Sequence, residues 1–118
     1  MIVNAANPVT ALRQDQVSGA YLGKTYRWPN GGQEVLAVDQ VDRSPARALF
    51  ARQILGKSLD ALNSYWQRQV FSGRTSPPPQ RVSDTEVLIY VRSNPGALGY
   101  VQAGTDLGTG VKIISVVP

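Results

Sequence analysis

Asp39 and Asp42 stand close together ahead of a helix-forming segment. Two carboxylates at such a spacing can share acid–base work or bind a divalent cation. No further ligands follow nearby at a recognised spacing, so solvated loop acids are the default reading. The stretch Asp42-Arg43-Ser44-Pro45-Ala46-Arg47 carries a sharper meaning, because it lies where a strand gives way to a helix. A helix start presents free N–H groups and a partial positive charge, which favours anions. Ser44 can cap or donate there, and Arg43 and Arg47 add positive charge. The bland alternative is an ordinary capped helix with exposed arginines. Open, convergent N–H groups would favour a ligand; a terminus plugged by Gln40 or an arginine would favour a scaffold.

Other chemistry is excluded by composition. The chain contains no Cys and no His, which removes disulfides, thiol nucleophiles, Cys/His zinc sites and imidazole catalysis. An enzyme would need an Asp/Ser/Lys mechanism, for which no constellation is present, so the chain reads as non-catalytic and without a cofactor. Lys24 after Gly23 lacks the P-loop pattern. Gly104-Thr105-Asp106-Leu107-Gly108 joins two expected strands without a helix and is no dinucleotide fingerprint. The formal charge is +4, from 12 basic and 8 acidic side chains. The arginines are scattered without a tract, which argues against nucleic acid as a partner.

These residues must be held by a small core. At 118 residues one domain is expected. No apolar run approaches the roughly 18 residues of a membrane span. Ile2-Val3 reads as a brief buried strand and residues 13–22 as a helix with Val17, Ala20 and Tyr21 on one face. Trp28-Pro29-Asn30-Gly31-Gly32 is a turn, and Val35 to Val38 a strand. Ser44 caps a helix with Pro45 at its first position; Ala46, Leu49, Phe50 and Ile54 form its inner face and Gly56 ends it. Ser58 caps the next helix, whose stripe is Leu59, Leu62, Trp66 and Val70, with Gly73 as its stop. Pro77-Pro78-Pro79 is a stiff loop. Ser83 and Glu86 make a capping box for a helix that turns Val87, Leu88 and Val91 inward. Leu98 to Val101 and Val111 to Val117 complete the strands. Strands interleaved with helices predict an α/β fold with about four or five strands and helices on both faces.

Two motifs carry a resemblance. Tyr21-Leu22-Gly23-Lys24 with Trp28-Pro29-Asn30 resembles the FLGK-x-x-x-W-[DN] signature of the substrate-binding proteins of phosphate ABC transporters. Pro95-Gly96-Ala97-Leu98-Gly99-Tyr100-Val101 is similar to their PGAIGYV signature. Between them, residues 63–78 resemble the YW…FxG…PP pattern of short, stand-alone relatives. Order and approximate spacing agree over nearly the whole chain. The resemblance implies a type 2 periplasmic binding protein fold. Residues 1–118 then form one three-layer lobe, with a small mixed or mostly parallel sheet and a strand at 112–116 closing it. It also implies a periplasmic or secreted location, with any signal peptide removed.

The family's phosphate loop, RSDGSGTT, falls on residues 40–47 when anchored on Phe50. Asp42 and Ser44 match it. Gln40 replaces the arginine, Pro45 replaces a glycine whose N–H faces the ligand, and Ala46 replaces a threonine. Each lost bond is worth about 1.5–3 kcal/mol, so affinity should fall by several powers of ten. The expectation is therefore a non-catalytic, phosphate-binding-protein-like domain. It would bind inorganic phosphate or another oxyanion weakly through Asp42, Arg43, Ser44 and Arg47, alone or in a homodimer. The alternative is a vestigial binding fold that contacts protein partners as a scaffold in the cell envelope.

Overall fold

The computed structural model describes residues 1–24, 26–29 and 31–118; Asn30 of the expected turn lies outside them. β1 (Ile2–Asn4) sits inside a four-stranded sheet of order β3-β6-β1-β7, with β3 at Leu36–Ala37, β6 at Ala97–Gly99 and β7 at Val111–Ile113. β3 and β6 run parallel, whereas β1 is antiparallel to both neighbours, with Val3 opposite Leu98 and Lys112. The sheet is thus mixed. Successive strand residues point to opposite faces, and both faces are covered. Val3 and Leu98 enter one apolar cluster, Ile2 and Ala97 the other. That is why β1 and β6 are buried along their whole length.

Three layers result. On one face lie α1 (Gln14–Tyr21) and α2 (Pro45–Phe50), which contribute Val17, Tyr21, Ala46 and Phe50. On the other lies α4 (Asp84–Ser93), seated through Val87, Leu88 and Val91. The Ser83 hydroxyl accepts from Glu86 N–H at 3.3 Å and starts α4 as its sequence predicts. Gly99 lets α4 approach closely: a Cβ there would stand 2.8 Å from Val87 Cγ1 and 3.0 Å from Val91 Cγ2. α2 continues as a π-helical turn over Ala51–Leu55, which Gly56 stops at φ 66°, a left-handed conformation that favours glycine. α3 (Leu59–Phe71), capped by Ser58 through Ala61 N–H at 3.1 Å, packs outside this layer with Leu62 and Trp66 against Ala51.

Several boundaries differ from the sequence reading. Leu49 and Val70, assigned to inner faces, are exposed. The run from Val111 breaks at Ile114: β7 stays in the main sheet, and β8 (Ser115–Val117) pairs in parallel with β2 (Ala11–Arg13), a strand with no alternating signal of its own. β4 (Asp39–Gln40) pairs in parallel with β5 (Gln80–Arg81). Two-residue strands are too short to show a period, so only tertiary pairing creates them. No described helix is long and apolar enough to cross a membrane.

Candidate functional site

The residues between β4 and α2 close on themselves. β4 carries Asp39 and Gln40 into the interior, where they are 4% and 0% exposed. Arg47, on the first turn of α2, is equally buried. Its Nη1 donates to Asp39 Oδ2 at 2.5 Å and to Gln40 O at 3.3 Å, its Nε to Asp42 Oδ1 at 2.8 Å, and its Nη2 to Asn63 Oδ1 at 3.2 Å. Asn63 Nδ2 in turn donates to Asp42 Oδ2 at 2.9 Å. Burial alone would lower the Arg47 pKa, but the charge and hydrogen bond of Asp39, with Asp42 beyond, hold it above its ordinary value. The exposed-arginine expectation fails for Arg47, and the solvated-acid expectation fails for Asp39. Two acids within reach of one buried guanidinium turn it into core.

Gln40 fills the space below the helix start. Its Nε2 donates to Asp84 Oδ1 and to Tyr100 O, both at 2.9 Å. Its Oε1 accepts a hydrogen bond from the Ser44 hydroxyl. Ser44 therefore stands at the cap position without capping: its side chain makes no bond to the α2 backbone. The main chain is occupied as well. Ser44 N–H donates to Val41 O at 2.9 Å and Arg47 N–H to Ser44 O at 3.1 Å, while Pro45 has no N–H. Of residues 44–47, only Ala46 keeps an N–H outside these contacts.

Tyr100 fixes the network to the sheet. It follows β6, two residues beyond Leu98, so it shares that residue's face. Its hydroxyl donates to Asp39 Oδ1 and accepts from Gln40 N–H at 3.2 Å. Its ring stacks on Phe50, centroids 4.0 Å apart and planes 4° apart. Burial, then the Asp39 charge and hydrogen bond, push the Tyr100 hydroxyl pKa well above its ordinary value.

Of the four residues singled out for anion binding, the structure brings together Asp42, Ser44 and Arg47. Arg43 is exposed and makes no contact in this network. Asp39, Gln40, Asn63 and Tyr100 join them. The alternation of β6 could have placed Tyr100; nothing local marks Asn63. With Asp39 and Asp42 opposing Arg47, the cluster has a formal charge of −1, which disfavours an arriving anion. Among the described residues no group of three His, Cys, Asp or Glu could hold a metal ion.

The two sequence motifs meet in space, as framework. Trp28 Nε1 donates to Gly96 O at 2.9 Å, and the Tyr21 hydroxyl shares its one proton between Val38 O at 2.9 Å and Leu98 O at 3.1 Å. Buried indole and phenol groups need such partners, which accounts for these residue types at these positions.

No family model and no curated protein matches the chain. Solved structures do. An ABC-type phosphate transport receptor from Vibrio cholerae superposes with a TM-score of 0.74 at 24% identity, over 98% of this chain and 44% of that one. A structure described as a phosphate ABC transporter substrate-binding protein with bound phosphate, from Clostridium perfringens, gives 0.72 at 23% identity, over 98% of this chain and 43% of that one. The chain spans less than half the length of these proteins. It has the α/β fold that phosphate ABC transporter substrate-binding proteins carry over that part of their length.

Proposed function

We propose that residues 1–118 form a single, non-catalytic lobe of the substrate-binding-protein type whose oxyanion site is vestigial, and that it works as a protein-contact module in the cell envelope. One observation carries this reading: the Arg47 guanidinium is held between Asp39 and Asp42 in the interior. An anion at the α2 start would have to displace a buried carboxylate from its partner, and such exchanges cost several kcal/mol. The Ser44 hydroxyl is likewise committed to Gln40. The envelope location rests on the fold neighbours, a phosphate transport receptor and a phosphate ABC transporter substrate-binding protein.

The same neighbours support a second reading, a residual oxyanion affinity beside Arg43. A titration with millimolar phosphate and sulfate, followed by backbone amide shifts and thermal melting, separates the two. The expected result is no saturable shift at residues 43–47 and no stabilisation beyond that of a chloride control. Saturable phosphate shifts at these residues, with a matching rise in melting temperature, would overturn the vestigial reading.

A further inference from the structure

Asp39, Asp42, Arg47 and Asn63 of the network border a groove of about 660 Å³, within the size range of ligand-binding pockets. Trp66, Val70 and Phe71 of α3 and Pro77 line it together with the polar Asp42 and Asn63. Phe71 is 94% exposed and Val70 55%. Exposed apolar surface beside polar groups is characteristic of contact sites. The buried Trp66 indole N–H has no acceptor among the described residues, an omission that native interiors rarely tolerate.

Charge says what this groove would take. Arg47 and Asp39 also line the groove, but their side chains are only 3% and 5% exposed, whereas Asp42 is 57% exposed. An incoming group therefore meets a carboxylate first, in a cluster of formal charge −1. Each Asp42 oxygen has one bond from within the network, Oδ1 from Arg47 and Oδ2 from Asn63, and a carboxylate oxygen can accept a second.

We infer that the groove binds an extended protein segment that places an arginine on Asp42 and a neighbouring large apolar side chain against Phe71 and Val70. A guanidinium matches the carboxylate fork and tolerates aromatic faces, so arginine fits better than lysine. The inference rests on the reading of the chain as a protein-contact module, and it reverses the ligand charge that the oxyanion reading requires.

The probe is N-acetyl-Phe-Arg-amide, titrated into the intact isotope-labelled chain. Saturable shifts of the Trp66 indole N–H and the Asn63 side-chain amide are expected. The Phe-Glu analogue should bind about tenfold more weakly or worse. Asp42→Asn and Phe71→Ser, both at exposed side chains, should each weaken the Phe-Arg probe at least several-fold while the circular dichroism spectrum stays unchanged. Equal binding of the two peptides, or no shift at the groove, would overturn the inference. So would groove shifts that depend on protein concentration alone, which would assign the surface to a second copy. Phosphate shifts confined to residues 43–47 would instead overturn the vestigial-site reading, so the two failures are distinguishable.

Discussion

Replacing Arg47 by methionine tests the central claim about this interior. The side chains have similar length, so the change removes charge and hydrogen bonds with little loss of volume. Four bonds go, to Asp39, Asp42, Gln40 and Asn63, and the Asp39 carboxylate, 5% exposed, is left without its counter-charge. Stranding one member of a buried ion pair costs about 3–5 kcal/mol. Against the roughly 5–15 kcal/mol that holds a domain together, this is a large fraction. At about 3–6 °C per kcal/mol for a chain of this size, the melting temperature should fall by roughly 10–30 °C. Urea unfolding of the wild type, Arg47→Met, Asp39→Asn and the double variant completes the test. The double variant carries no stranded charge at Asp39, so it should be more stable than the sum of the single losses allows, by about 1–3 kcal/mol. A loss below about 1 kcal/mol, or additive single variants, would show that the pair is not the anchor its geometry makes it.

Two further outcomes follow from packing and burial. Gly99→Ala drives a methyl to 2.8 Å from Val87 Cγ1 and 3.1 Å from Val38 Cγ1; overpacking of this kind costs about 1–3 kcal/mol, and an unchanged urea midpoint would mean that α4 is less tightly seated than the structure has it. Burial first, and then the charge of Asp39, raise the pKa of both Tyr21 and Tyr100. Below the unfolded tyrosine value near 10 both states keep these protons; above it the unfolded chain releases them first, so stability should fall with rising pH. An ultraviolet titration should therefore find two of the five tyrosines ionising only on unfolding, and five ionising together at ordinary pH would contradict the burial.

Much of the framework is legible locally. α3 and α4 announce themselves through Ser58 and Ser83, whose hydroxyls accept within the next turn, and through apolar spacing that lands Leu62, Trp66, Val87 and Val91 inside. Gly56 stops its helix for the reason any glycine does, since few other residues accept φ 66°. Where periodicity misleads, at Leu49 and Val70, the helix is right and the extent of its buried face is wrong. That extent depends on how much neighbouring surface covers it, which the helix itself does not encode.

The candidate site divides along the same line. Reading residues 40–47 as a dismantled anion loop needs only their types set against the motif they resemble: glutamine cannot replace that motif's arginine charge, and proline has no N–H. Whether Arg47 faces a ligand or the interior depends on what stands opposite, and Asp39, Asn63 and Tyr100 arrive there from β4, α3 and the end of β6. A cap or a turn is settled within a few residues of chain, by contacts each residue makes with its own neighbours. The fate of a charge is settled by groups distant in sequence, so only the folded chain decides it.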